Sequence, residues 1–164
     1  MEALQEQFTK LVNETTHSIS RSLRGTSPSI IKITKNDSIK QKVTSITAQL
    51  KENKIVLIAS LSNSIPKAIS VIEIAKSALK EENKSVKQFN KLAHLDSTHN
   101  PNYKPNQENL EGSKHANDDE DEHKQVIERD ILESINGPKV YQLPIMYVIL
   151  SLDNMISLTD WTSQ

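Results

Sequence analysis

Residues 29–82 read SIIKITKNDSIKQKVTSITAQLKENKIVLIASLSNSIPKAISVIEIAKSALKEE, and two apolar rhythms alternate within them. Ser29–Thr34 is short and β-branched, as a buried strand is, and it stops at Lys35-Asn36-Asp37-Ser38, where Asn, Asp or Ser can cap a helix. From there the apolar positions run Ile39, Val43, Ile46 and Leu50, while Lys40, Lys42, Gln49 and Lys51 fall off the stripe. That spacing predicts one amphipathic helix of about three turns. Asn53 and Lys54 lead into the unbroken apolar run Ile55–Ala59. Such a run reads as a central strand, covered on both faces or set beside a dimer interface. Ser60–Ser64 forms the next loop, and Pro66 sits just inside a second helix, where its missing N–H does no harm. Ile65, Ala68, Ile69, Ile72, Ala75 and Leu79 line that helix, and Val71 and Ile74 make it apolar on more than one side.

Working outward, residues 1–24 carry Leu4, Phe8, Leu11, Val12, Ile19 and Leu23 at helical spacing, and Gly25–Ser29 is a breaker cluster. An N-terminal amphipathic helix is expected. Beyond the core stretch, Ser85–Leu95 reads as a third, edge-like strand. Residues 96–118 are rich in Asn, Ser, Pro, Lys and His, a composition that cannot supply a core. The wholly acidic Asp118–Glu122 precedes Val126, Ile127, Ile131, Leu132 and Ile135, a short helix face stopped by Gly137-Pro138. Val140–Leu152 is the strongest strand, with Pro144 marking an edge or bulge. The order is β-α-β-α-β-β. The expected architecture is an α+β two-layer sandwich with an N-terminal helix and an acidic insert between the last two strands. Its parts are 1–29, then 30–95 with 139–158, and the polar insert 96–138.

Composition narrows the chemistry. With no cysteine in 164 residues, disulfides, thiolate metal sites and cysteine nucleophiles are excluded. Gly25, Gly112 and Gly137 are the only glycines, so neither a P-loop nor a dinucleotide fingerprint can be built. No serine lies in a nucleophile elbow. The five histidines, at 17, 94, 99, 115 and 123, match no ligand spacing, and Asp118–Glu122 lacks the alternation of a calcium loop. No catalytic residue, metal site or cofactor is expected. Neither a membrane span nor a secretory signal is expected, which predicts a soluble, intracellular protein.

The net charge of -1 conceals an asymmetry. Residues 30–95 carry 12 Lys against 5 acids, whereas residues 96–138 carry 4 basic side chains against 11 acids. A basic body with an acidic appendage suits a polyanion ligand. Phosphate is read by basic groups together with backbone N–H donors at helix starts, and two turns combine them. Lys32, Lys35 and Lys40 surround Asn36 at the first strand-to-helix turn, and Asn63, Ser64 and Lys67 open the second helix. Pattern alone leaves open whether the two turns converge. Lys87 and Lys91, on the third strand, complete the expected phosphate contacts.

The string Ile31-x-Ile33-Thr34-Lys35-Asn36, then Ile55–Ser60, then Ile65-x-Lys67-Ala68-Ile69-x-Val71-x-Glu73-Ile74-Ala75-Lys76, resembles the Alba superfamily of small nucleic-acid-binding proteins. The likeness covers about residues 30–95 and 139–153. Within that superfamily, Lys35-Asn36-Asp37-x-Ile39-Lys40, Ile72-Glu73-Ile74, Gln88-x-Asn90-Lys91-Leu92 and Leu143-Pro144-Ile145 look most like the fungal Alba-type subunit of nuclear ribonuclease P and RNase MRP. The resemblance implies an Alba-like sandwich and a non-catalytic RNA-binding role in the nucleus, at the nucleolus, in tRNA and rRNA precursor processing. It further implies a heterodimer with a second Alba-type subunit, with Ile69, Ile72 and Ile74 as the expected interface. Other ribonucleoprotein subunits would join it, and catalysis would lie in the RNA component. A general Alba-type RNA or chromatin regulator, or a telomerase RNA subunit, is the alternative. Ser62 stands where the family usually has a glycine, and the excursion 96–138 is acidic where archaeal members have a basic arm.

Overall fold

The computed structural model describes residues 2–23, 26–98, 139–152 and 156–164. The predicted helix at 126–135 lies outside them. The elements run α1 (Glu2–Ser22), β1 (Ser29–Ile33), α2 (Ile39–Asn53), β2 (Ile55–Leu61), a 3-10 turn (Ser62–Ser64), α3 (Ile65–Glu81), β3 (Lys87–Ser97), β4 (Tyr141–Ser151) and β5 (Thr162–Ser163). The chain divides into two units, one of residues 1–95 with 143–164, the other of residues 96–142. In the second, the Lys139 ammonium lies 5.3 Å from the centroid of the Tyr141 ring.

One mixed sheet orders its strands β1-β2-β4-β3-β5. β1 runs parallel to β2, with Ile31 opposite Ile58 and Ile33 opposite Ser60, and β2 runs antiparallel to β4, with Ile55 opposite Ser151 and Leu61 opposite Ile145. Alternation along β2 sends its side chains to opposite faces. Val56 and Ile58 join Ile31, Ile33, Val148 and Leu150 against Ile46 and Leu50 of α2 and Ala68, Val71, Ile72, Ala75 and Leu79 of α3. Ile55, Leu57 and Ala59 face the other way and pack with Phe8, Val12 and Ile19 of α1, together with Ile145, Tyr147 and Ile149. The α+β fold is as the sequence predicts, and α1 lies on the sheet face opposite α2 and α3.

That placement settles why Ile55–Ala59 is uninterrupted: the chain covers both faces of β2, and every residue from Ile55 to Ser60 is buried. The strand therefore holds no surplus apolar surface for a partner. Ile156 and Leu158 also enter the α1-side core, and Thr162–Ser163 then pairs with Phe89 and Asn90 on the outer side of β3. Two polar residues carry no apolar rhythm, so β5 is invisible in the sequence; tertiary docking of Ile156 and Leu158 creates it. Among the described residues, β3 is consequently an edge only beyond Asn90.

Helix ends follow local chemistry. Lys54 closes α2 in the left-handed region at φ 63°, its N–H donating to the Leu50 carbonyl at 3.0 Å. Pro66 occupies the first turn of α3 as expected. No described helix is long and apolar enough to cross a membrane.

Candidate nucleic-acid interface

Because β1 and β2 are parallel, the turns leaving their C-terminal ends emerge at the same end of the sheet, and both helices start there. The question that pattern left open is answered by a side chain. Lys67 Nζ, from the first turn of α3, donates to the main-chain carbonyls of Lys35 and Asp37, the latter at 2.8 Å. The two turns form one surface.

The 34–38 turn is held from within as well. Asp37 Oδ2 accepts from the Thr34 N–H at 2.7 Å and from the Thr34 hydroxyl at 2.9 Å, and Lys42 Nζ lies 3.4 Å away while donating to the Lys32 carbonyl at 2.7 Å. Partial burial would raise the Asp37 pKa, but the Thr34 hydrogen bonds and the Lys42 charge outweigh it and hold the carboxyl below its usual range. Asp37 thus closes the turn onto Thr34. Ser38 is the N-cap residue, yet its side chain makes no capping hydrogen bond. The first helical bond of α2 runs from the Lys42 N–H to the Ser38 carbonyl, so the N–H groups of Ile39, Lys40 and Gln41 precede it.

Lys35, Asn36, Lys40 and Asn63 are exposed at this end. Among the described residues no carboxylate pairs with the ammonium of Lys35 or Lys40. The other expected contacts behave differently. Lys32 is half-buried on the α1 side, its ammonium donating to the Thr9 hydroxyl at 2.9 Å. Ser64 is buried, and its hydroxyl donates to the Leu61 carbonyl at 2.7 Å and accepts from the Leu61 N–H at 3.1 Å. It shapes the loop and is not available to a phosphate. Lys67 spends two of its three donors on the neighbouring turn.

Lys87 and Lys91 are not at this end. α3 has 17 residues and a length of about 25 Å, so β3 starts at the opposite end of the sheet, where Lys76 donates to the Gln88 side chain at 2.8 Å. Lys91, further along β3, lies over the Trp161 ring at 5.8 Å from its centroid. At that far end Lys51 and Lys84 share Glu82 at 2.6 and 3.1 Å, which holds the Glu82 carboxyl below its usual pKa. The expected contacts therefore fall into two separate groups, and among the described residues the Lys35–Lys40 group joins charge without a carboxylate partner to a helix start.

Ile72 requires a correction too. It is 2% exposed in the core beneath α3, because the buried stripe of that helix is Ala68, Val71, Ile72, Ala75 and Leu79. No partner can reach it. Ile69 and Ile74, at 49% and 48% exposure, flank the stripe and remain on the surface. Sequence reasoning missed Lys42 and Thr34, although the Thr34-x-x-Asp37 spacing is that of a side chain folding back on its own turn.

Ser62 begins the 3-10 turn at φ 48°, the left-handed region that favours glycine. The backbone shape a glycine would give is kept by a serine.

Among the described residues no cluster of His, Asp or Glu could hold a metal ion. Comparison with curated proteins finds no match. Among solved structures the chain is similar to Alba from Thermoplasma volcanium, with 13% identity over 74% of this chain and 98% of that one, at a TM-score of 0.43. The Alba family model matches residues 29–94, which run from the first residue of β1 through most of β3 and contain both basic turns.

Proposed function

We propose that this chain is a non-catalytic RNA-binding and assembly subunit of a ribonucleoprotein of the ribonuclease P or RNase MRP type. The observation that carries the binding surface is the pair Lys35 and Lys40, exposed and, among the described residues, without carboxylate partners, beside the first turn of α2, whose N-cap side chain makes no capping hydrogen bond. Cationic side chains and free N–H donors at one place suit a phosphate backbone, and they read its shape and charge rather than its sequence. The Alba domain at 29–94 supports nucleic acid as the ligand class.

The ribonuclease P or MRP assignment is supported by Lys35-Asn36-Asp37-x-Ile39-Lys40, Ile72-Glu73-Ile74, Gln88-x-Asn90-Lys91-Leu92 and Leu143-Pro144-Ile145, the stretches that resemble the fungal subunit. In this reading the protein works in the nucleus, within the nucleolus. It pairs with a second Alba-type chain through a surface that includes Ile69 and Ile74, and it sits with other protein subunits on an RNA component that performs catalysis.

Purification of the tagged chain from its own cells, with sequencing of the RNA that co-purifies, tests this. Recovery of the ribonuclease P or MRP RNA is expected. A telomerase RNA, or a broad set of transcripts, would favour a telomerase subunit or a general Alba-type regulator. Absence of enriched RNA would refute the RNA-binding reading itself.

A further inference from the structure

The geometry points to Lys67 as a positioning residue: it clamps the 34–38 turn so that Lys35 and Lys40 can engage phosphate, and does not itself contact the RNA. The inference rests on the RNA-binding reading above and assigns different work to three lysines that sequence pattern treats alike.

Three observations separate Lys67 from Lys35 and Lys40. First, its ammonium is engaged across elements, on the carbonyls of Lys35 and Asp37, which lie 32 and 30 residues away in sequence. Second, it is half-buried, whereas Lys35 and Lys40 are exposed. Third, it stands in the first turn of α3, where the helix dipole disfavours a cation. The two carbonyl oxygens offset that cost, which ties the charge to the turn. Lys42 reaches the same turn from α2 through the Lys32 carbonyl and Asp37, so both helices grip it from below. Among the described residues, no carboxylate pairs with the side chains of Lys35 and Lys40.

A clamp acts on affinity by raising the fraction of molecules whose turn is already shaped for the ligand. Its removal should weaken binding without removing a phosphate contact. A contacting lysine instead changes the number of counterions released, and with it the dependence of affinity on salt.

The experiment measures affinity of the full chain for a structured RNA hairpin across a salt series, together with amide exchange of the free protein. Lys35→Gln and Lys40→Gln should each lower the slope of log affinity against log salt by roughly 0.7 to 0.9. Lys67→Met should weaken binding roughly tenfold, as a turn competent about one tenth of the time would. Its salt slope should match wild type, and exchange at the Thr34 and Asp37 amides should quicken while β2 amides are unchanged. Lys67→Gln, which keeps a donor for one carbonyl, should fall between, and serves if the Met variant does not fold. A Lys67→Met slope lowered by a full contact, or unchanged exchange at 34–37, overturns the clamp. Absence of salt-dependent RNA binding by wild type overturns the functional reading, whereas the exchange measurement, made without RNA, still reports whether Lys67 holds the turn.

Discussion

Lys67 and Asp37 are joined by a hydrogen bond from the lysine ammonium to the aspartate's main-chain carbonyl, at 2.8 Å, and that bond makes one surface of two turns separated by a helix and a strand. The Asp37 side chain meanwhile faces Thr34 and Lys42. One residue therefore anchors the turn to three elements at once: β1's exit, α2 and α3.

The Asp37 carboxylate should make stability depend on acid pH. Its pKa lies below the ordinary 3.8, so its contribution is fully present above pH 3.8 and is lost as pH falls through the lowered folded value. Asp37→Asn should unfold at lower urea than wild type at pH 7, and the gap should narrow as pH falls below 3.8. Equal gaps above and below that pH would show that the Thr34 and Lys42 contacts do not depend on the charge.

Ile72 and its neighbours on α3 should part company on substitution. Ile72→Ala should cost about 2–5 kcal/mol, the usual toll of a cavity in a packed core, and Ile72→Glu should abolish folding. Ile69→Ala and Ile74→Ala should each change stability by no more than about 0.5 kcal/mol, as surface changes do. Thermal melts of the four variants check this. A well-folded Ile72→Glu monomer would contradict the core placement.

The contrast between Ile72 and Ile69 also marks how far the sequence can be read. Periodicity located the helix and the strands on either side of it, because burial of one stripe is a local rule. It could not say which isoleucines lie at the centre of the stripe when Ile69, Ile72 and Ile74 are identical in type. Likewise Lys35, Lys67 and Lys87 look alike in sequence, and only the parallel pairing of β1 with β2 brings the first two together and sends the third to the far end. The position of α1 was not legible either, since its apolar stripe fits any apolar surface; the unbroken run Ile55–Ala59 was the sign that something covers the second face of the sheet.

Ser62 should be improvable. A left-handed residue other than glycine costs about 1–2 kcal/mol, and glycine's greater freedom in the unfolded chain takes back about 0.5–1 kcal/mol. Ser62→Gly, at φ 48°, should therefore stabilise the protein by about 0.5–1 kcal/mol, read as a raised denaturation midpoint. A lowered midpoint would mean that the Ser62 side chain makes a compensating contact.

Tyr147 fastens α1 to the sheet. Burial raises its pKa above the ordinary 10.0, against a smaller lowering influence from the neighbouring Thr15. Because the folded pKa is raised, the stability that the neutral phenol contributes is present below pH 10.0 and lost as pH rises through the folded value. Tyr147→Phe should leave stability at pH 7 little changed and should be less sensitive than wild type above pH 10.0. Circular dichroism followed through an alkaline titration distinguishes the two, and identical alkaline transitions would remove Tyr147 from this role.

The central claim is that phosphate is bound at the sheet end carrying Lys35 and Lys40, and the most direct measurement is the salt dependence of RNA affinity for wild type and the double variant Lys35→Gln/Lys40→Gln. Wild type should lose affinity steeply as salt rises, and the double variant should show a slope shallower by roughly 1.4 to 1.8, the equivalent of two phosphate contacts. A wild-type affinity indifferent to salt, or a double variant with the wild-type slope, would contradict it.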